Sequence, residues 1–472
     1  MMKPLSHGWQ SGEAAVPLWT AVDIAAATGG RIEGDFSATG VAFDSREVEP
    51  GHLFVAMSGE ATDGHRFVGG AFDRGAAGAL VSQPVDGPSV LVADTAAALD
   101  DLARAARART AAQVIGVTGS VGKTGTKEAL AAALARGLRG SAHRSVKSYN
   151  NHTGVPLSLA RMPAGSAYGV FEMGMNHAGE LAGLTRLVRP HVAIVTAIAP
   201  AHAAFFTDEG AIADAKGEIF QGLEPGGTAI IPYDSPHRDR LIAAAAPYAG
   251  RIWTFGRGQG ADIRAIEEVR NATGGSFVSA VLPDTELSFT VGQPGAHWVS
   301  NALAVIAAVA AVSGDLAAAG LALADMGGLA GRGARRTVTV GEGQALIIDE
   351  SYNANPASMA ATIATLGETA ASRRIVVLGE MRELGPRAPA YHAGLAGPIL
   401  AAGVDRALLV GEGMAPLAEA LEGRIEIAHV ADAQAAAAAL AGTLAPGDAV
   451  LVKGSNAIGL SAVVETLAAG DA

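Results

Sequence analysis

Residues 114–127 read Val-Ile-Gly-Val-Thr-Gly-Ser-Val-Gly-Lys-Thr-Gly-Thr-Lys, and this stretch constrains the fold more than any other. A β-branched apolar run enters a glycine-rich loop, a Lys-Thr pair follows, and an alanine-rich stretch of helical composition comes after it. A strand that turns tightly into a helix places backbone N–H groups and the positive end of the helix dipole at one point, which suits phosphate. The expectation is that Thr118, Gly119, Ser120, Val121 and Gly122 wrap a nucleotide triphosphate. Lys123 then reaches its outer phosphates and the Thr124 hydroxyl faces Mg²⁺. The general pattern places a further glycine five residues before Gly122, where this chain has Val117, so the form present is the shorter Thr-Gly-x-x-Gly-Lys-Thr. The competing reading is a strand-to-helix turn that simply needs glycine, which leaves the Lys-Thr pair without a purpose.

The 472 residues leave room for three domains at roughly 150 residues each. A net charge of −12 argues against a broad nucleic-acid footprint, so an anionic ligand has to be met by local Lys and Arg and by helix N-termini. The chain has no cysteine, which removes disulfides, thiolate catalysis and Cys-based metal sites and fits a reducing compartment. The first ten residues lack an apolar core of signal-peptide length, and no stretch is apolar over about 18 residues. The expectation is a cytoplasmic protein with no membrane insertion.

Three regions separate by pattern, and the fold class they predict is α/β. Residues 18–108 alternate short strands with helical stretches at 66–75 and 95–109. Residues 112 to about 330 open on the phosphate loop. Strands are expected at 168–173, 192–198, 228–232 and 251–255, with helices between, which argues a parallel sheet. An antiparallel meander is expected over 259–292. Residues 336–472 hold a second alternation, with strands near 344–349, 373–378, 406–411 and 448–453, predicting a separate Rossmann-like doubly wound domain. Gly327–Gly333 reads as the linker before it. The expected boundaries are 1–110, 111–330 and 331–472.

In such sheets ligands lie outside the carboxyl ends of the strands. Polar residues expected there are Glu172, His202, Lys216, Glu218 and Asp349. Taken singly, each has a bland explanation: a capping histidine, a strand-end glutamate, a solvated helix lysine. Their weight comes from falling together on one edge of the same expected sheet.

With those residues in view, the chain resembles the Mur ligases, the ATP-dependent amide-forming enzymes of peptidoglycan synthesis. The resemblance is carried by Thr118-Gly-Ser-Val-Gly-Lys-Thr124, Asn150-Asn-His-Thr-Gly-Val-Pro156, Phe171-Glu-Met-Gly174, Ala201-His202 and Ala215-Lys-Gly-Glu-Ile-Phe220. It continues through Asn301-Ala-Leu-Ala304, Gly331-Arg332, Asp349-Glu-Ser-Tyr-Asn-Ala-Asn-Pro356, Met381-Arg-Glu-Leu-Gly385 and Lys453-Gly-Ser455. Within the family, Asp-x-Ser-Tyr-Asn-Ala-Asn-Pro, Met-x-Glu-Leu-Gly and Asp44-Ser-Arg46, with Asp63-Gly-His65 downstream, look like the branch that joins D-alanyl-D-alanine to UDP-N-acetylmuramoyl-tripeptide. The branches for the third amino acid and for folate carry Ala-His where this chain has Tyr352-Asn353.

The resemblance implies roles. Thr124 and Glu172 would hold one Mg²⁺, and His202 with a carbamylated Lys216 a second. Lys123 would steady the transferring phosphate of ATP. Asn301 and Asp349 would contact adenine and ribose, with Arg332 near the phosphates. Ser45 and Arg46 would bind the UDP part. Asn150, Asn151, Thr153, Asn353, Asn355 and Lys453 would meet the peptide and dipeptide. A monomer is expected. Two positions depart from the family pattern: members often carry Asn near Thr196 or Ala197, and Arg at the place of Asn456. Two other readings stand beside this one. The first is another amino-acid ligase of the family. The second is a P-loop switch or motor, in which Glu172 would serve Mg²⁺ but Lys216 and the third domain would have no task.

Overall fold

The computed structural model describes residues 16–59, 62–137, 141–200, 204–271 and 274–469. They form two compact units: one runs to Ala111 and includes Pro156–Ser166, the other is Ala112–Val155 with Ala167 onward.

The first unit is built on a five-stranded sheet. Gly40–Ala42, His52–Val55, Gly78–Val81 and Ser89–Leu91 run parallel, and Arg31–Glu33 closes one edge antiparallel. Asp94 caps the helix Thr95–Ala108 by accepting from the N–H groups of Ala96 (2.7 Å) and Ala97 (3.2 Å). The helix expected at 66–75 is shorter. A 3₁₀ turn at Gly64–Phe67 precedes the helix Val68–Asp73, because the Asp63 carboxylate takes the His65 N–H at 3.0 Å and holds the chain in a turn.

The second unit holds two sheets. The larger has nine strands, in the order Glu286–Val291, Ser276–Val281, Ile263–Arg270, Arg251–Gly256, Thr228–Pro232, Val192–Val195, Gln113–Thr118, Tyr168–Glu172, Ala142–Arg144. The strands from Arg251–Gly256 onward in that order are parallel, and the central ones, from Thr228–Pro232 to Tyr168–Glu172, read as near-continuous apolar runs, because helices cover both faces. Val114, Ile115, Val117 and Val192 to Val195 are all buried. The expected meander is present as the antiparallel ladder of the first three strands. The helix Ala296–Ala311 packs Val299, Leu303 and Ile306 into the same core.

The smaller sheet has six strands: Ala334–Val340, Gly343–Glu350, Asp448–Lys453, Arg373–Gly379, Arg406–Val410 and Glu426–Val430, in that order. All but the first are parallel. The two outermost strands escaped the sequence reading. Ala334–Val340 carries Arg335, Arg336, Thr337 and Thr339, and Glu426–Val430 is only partly buried, so neither shows the apolar run of a central strand. The expected linker Gly327–Gly333 is tied to this sheet: Gly331 N–H donates to Asp349 Oδ2 at 2.7 Å and Gly333 N–H to Asp349 O at 2.8 Å.

Candidate active site

The strand Gln113–Thr118 ends between the ends of Tyr168–Glu172 and Val192–Val195, with Val117 opposite Glu172 and Thr118 opposite Val195. The phosphate loop therefore emerges at the middle of the carboxyl edge and feeds the helix Lys123–Gly137. Gly119 and Gly122 sit at φ +150° and +86°, conformations L side chains rarely adopt. Space excludes a side chain too: a Cβ on Gly119 would stand 1.9 Å from Thr196 Oγ1, and one on Gly122 2.7 Å from Asn301 Oδ1.

The loop is braced from the neighbouring strand end. Thr196 Oγ1 donates toward Val121 O (2.5 Å) and Thr118 O (3.2 Å), Ser120 N–H donates to Ala197 O (2.8 Å), and Ser120 Oγ joins both backbone groups of Ala199. Thr196 thus supplies a brace at the place where the family often carries Asn. Of the loop amides expected to meet phosphate, that of Ser120 is already engaged. Those of Val121 and Gly122 have no acceptor among the described residues.

The acidic partner is in place. Thr124 Oγ1 donates to Glu172 Oε2 at 2.8 Å, and Asn150 Nδ2 to Glu172 Oε1 at 2.8 Å. Glu172 is 1% exposed. Lys123 Nζ rests on Gly119 O at 2.7 Å. Burial lowers the Lys123 pKa, the Glu172 charge opposes that shift, and the Arg332 guanidinium adds to it.

Lys216, near the end of the helix Glu209–Gly217, is 1% exposed. Its pKa lies well below the ordinary lysine value, chiefly through desolvation and then through the Lys123 charge. His202 lies outside the described residues. Glu218 is spent on structure, accepting from Gly179 N–H (2.7 Å) and Ala182 N–H (3.1 Å) at the start of the helix Glu180–Val188.

Across from the loop, the six-stranded sheet presents its own carboxyl edge. Glu350 and Lys453 are register partners at the ends of adjacent parallel strands, and Lys453 Nζ meets Glu350 Oε2 (3.2 Å) and Asn353 O (2.9 Å). Arg332 lies over the Tyr352 ring, 4.3 Å from its centroid, and donates to Ser148 Oγ at 3.0 Å. A cavity of about 800 Å³ separates the two edges. The expected site residues that line it are Ser120, Val121, Gly122, Lys123, Asn150, Glu172, Asn301, Arg332, Asn353, Asn355 and Lys453.

Others stand apart. Thr118, Gly119 and Thr124 are not on the cavity wall. Asp349 is occupied by Gly331 N–H, Ser351 N–H and the Ser351 hydroxyl. Asn151 Oδ1 accepts from Thr153 N–H and Gly154 N–H and forms a local turn. Asn355, although on the cavity wall, uses its side chain to cap the helix Pro356–Gly367 in a reciprocal pair with Ser358. Ser45 and Arg46 belong to the first unit, where Arg46 is fastened to the Asp44 carboxylate. The sequence reading missed His297, Trp298 and Arg382, which line the cavity. The run Ala296-His-Trp-Val-Ser-Asn301 offered a signal, since Asn301 shares that helix.

The residues present fit a hard cation at one point. Thr124 and Glu172 offer oxygen donors side by side, while among the described residues no group of three or more His, Asp or Glu gathers as a metal cage. That is the donor set of an ion that completes its shell with phosphate and water oxygens. No described helix is long and apolar enough to cross a membrane.

Models of three family regions match in order: the Mur ligase family catalytic domain over 37–121, the Mur ligase middle domain over 117–309, and the Mur ligase glutamate ligase domain over 335–456. The UDP-N-acetylmuramoyl-tripeptide–D-alanyl-D-alanine ligase of Escherichia coli is 35% identical, with 93% of this chain and 96% of that protein covered. This chain belongs to the Mur ligase family. The ligase of the same description from Bacillus subtilis is 34% identical, with 91% of this chain and 93% of that protein covered. Among Mur ligase structures, MurF from Acinetobacter baumannii superposes with a TM-score of 0.82 at 30% identity, covering 96% of this chain and 100% of that one. MurF from Thermotoga maritima, solved in complex with ADP, gives 0.75 at 26% identity, covering 92% and 97%.

Proposed function

We propose that this Mur ligase joins D-alanyl-D-alanine to UDP-N-acetylmuramoyl-tripeptide at the expense of ATP, in peptidoglycan synthesis, and acts as a cytoplasmic monomer. The observation that carries the reading is the cavity itself: the phosphate loop with Lys123 and Glu172 on one wall, Glu172 being bonded to Thr124, faces Lys453, Asn353 and Arg332 on the other. The relatives' activity agrees with it. We assign the UDP part to 1–110 through Ser45 and Arg46, ATP to 111–330, and the incoming dipeptide to 331–472.

A carboxylate does not condense with an amine at neutral pH, because oxide is a poor leaving group. The tripeptide carboxylate oxygen attacks the γ-phosphorus of ATP, the bond from phosphorus to the bridging oxygen breaks, and ADP leaves an acyl phosphate. The amine nitrogen of D-alanyl-D-alanine then adds to the carbonyl carbon and loses a proton, and phosphate departs with the electrons of the C–O bond. Both steps gather negative charge between anions. Thr124 and Glu172 would hold Mg²⁺, a carbamylated Lys216 with His202 would hold a second ion, and these ions would supply the neutralising charge.

The protein groups do the rest. The Val121 and Gly122 amides are open to phosphate oxygens, and Lys123 directly precedes Thr124 with its ammonium already held at Gly119 O. Asn301, against Gly122, meets the nucleoside, and Arg332 adds a cation near the phosphates. Asn150 fixes the Glu172 carboxylate. A site walled by two sheets excludes water and protects the acyl phosphate from hydrolysis. Lys216, whose burial lowers its pKa and so favours the free amine, would be a nucleophile for CO₂, and the resulting carbamate would be an anionic oxygen donor where an ammonium would repel a cation.

The test is phosphate release from ATP and Mg²⁺ with UDP-N-acetylmuramoyl-tripeptide, adding D-alanyl-D-alanine, D-glutamate, diaminopimelate or lysine in turn. Release only with D-alanyl-D-alanine, with a product heavier by one dipeptide, is expected. Release without any amine would overturn the ligase reading in favour of a hydrolase or switch.

A further inference from the structure

One lysine of the phosphate-loop helix has no part in that chemistry. Lys127 lies one turn beyond Lys123 on the same helical face and is completely buried. An ammonium has three donors, and here each finds an oxygen: Ser145 O at 2.9 Å, Lys147 O at 2.6 Å and Glu128 Oε1 at 2.9 Å. Burying a lysine so deeply is costly unless it is paired and hydrogen-bonded in this way. An apolar residue would fill the space more cheaply were the two carbonyls not in need of a donor.

Those carbonyls belong to the loop that leaves the strand Ala142–Arg144. Lys147 is held there at φ +53°, a left-handed conformation unusual for a side chain other than glycine. The same loop carries three contacts to the site. Ser145 Oγ accepts the Glu172 N–H at 3.2 Å, Ser148 Oγ accepts from Arg332 at 3.0 Å, and Asn150 Nδ2 donates to Glu172 Oε1 at 2.8 Å.

We propose that Lys127 is a positioning residue: its buried ammonium anchors the loop 145–150, and through that loop it fixes the Glu172 carboxylate and the Arg332 guanidinium on the nucleotide. The proposal rests on the nucleotide-binding part of the reading above. It adds a link from the helix that carries the phosphate loop to the metal-facing carboxylate and to the six-stranded sheet. Outer partners that orient a metal ligand cost roughly 10- to 100-fold in metal affinity when removed.

The experiment is calorimetric titration of the full-length protein with ATP at a series of Mg²⁺ concentrations. It compares wild type with Lys127→Met and Lys127→Arg and follows thermal unfolding in parallel. Lys127→Met should raise the half-saturating Mg²⁺ about 10- to 100-fold, and Lys127→Arg, which keeps the charge and the donors, should recover most of that loss. A folded Lys127→Met protein with unchanged Mg²⁺ half-saturation would overturn the proposal, because a purely structural lysine lowers the melting temperature without moving the metal titration. If Lys127→Met does not fold, Ser145→Ala decides. It leaves the lysine its three acceptors and removes only the hydroxyl at Glu172 N–H, so an unchanged titration there is equally fatal. Failure of the wild type to bind ATP with Mg²⁺ would instead overturn the ligase reading on which this rests.

Discussion

Thr124 Oγ1 and Glu172 Oε2 lie 2.8 Å apart, joining the first turn of the phosphate-loop helix to the end of the adjacent strand. Neither residue is near the other in the chain. The parallel register that sets Glu172 opposite Val117 brings them together. The pair offers two oxygen donors at one point, and Asn150 on the second carboxylate oxygen keeps the first one aimed.

Glu172→Gln tests that arrangement without removing volume. The amide keeps the shape of the side chain but loses the charge that attracts Mg²⁺. Losing such a ligand is worth several kcal/mol, so ligation should fall by roughly two orders of magnitude and the Mg²⁺ half-saturation should rise. Thermal unfolding should change little. An unchanged Mg²⁺ titration would remove Glu172 from the metal shell.

The loop backbone makes a sharper demand. Gly119→Ala puts a Cβ 1.9 Å from Thr196 Oγ1 at φ +150°. The backbone strain alone costs about 1–3 kcal/mol, and the clash adds to it. ATP affinity should drop steeply. Thr196→Ala in the same chain removes the clashing hydroxyl and should restore part of the binding, while costing a little by itself through the lost brace on Val121. Purely additive losses in the double variant would show that Thr196 does not pack on Gly119 as described.

Which of these features was legible in the chain follows from where the physics is local. The phosphate loop is spelled out because its backbone needs glycine at fixed positions and a Lys-Thr pair after them. The central strands are spelled out because burial on both faces leaves only apolar residues, as in Val192 to Val195. Ala334–Val340 and Glu426–Val430 are edge strands with polar faces, and periodicity passes over them. Asn355 has a second, local role: its Asn-Pro-Ala-Ser sequence is a helix-start signature that the side chain fulfils, while the residue also lines the cavity. Ser148 was out of reach because its partner comes from another element: it meets Arg332 across 184 residues of chain.

His297 gives a pH prediction. Burial pushes its pKa below the ordinary 6.5, the Glu350 charge opposes that shift, and Lys453 adds to it. The unfolded chain therefore takes up the proton first as pH falls. Stability contributed by the neutral ring is complete above 6.5 and is lost progressively below it, down to the lower folded value. Unfolding free energy should fall more steeply with acidification in the wild type than in His297→Gln, with the difference confined to the region below 6.5. Parallel curves would show that the imidazole titrates as it does in water.

Lys216 carries the last prediction, and the physical conflict around it is the most severe in the site. A fully buried amine beside the Lys123 ammonium is pushed well below the usual lysine range, first by desolvation and then by the Lys123 charge, which favours the free base relative to an exposed lysine. The free base is the form that adds CO₂, losing one proton and becoming a carbamate. The modification turns a repulsion by Lys123 into an attraction and creates an oxygen ligand at a buried position. Activity should therefore decline in CO₂-stripped buffer and return with bicarbonate. Isotope-labelled bicarbonate should give a carbamate resonance that is missing in Lys216→Ala. That variant should lose ligation and regain part of it with formate or acetate, which are small enough to refill the place of the carbamate. A Lys216→Ala enzyme with full activity, or a wild type indifferent to CO₂ and without the resonance, would leave the buried amine as a structural residue whose low pKa has no bearing on catalysis.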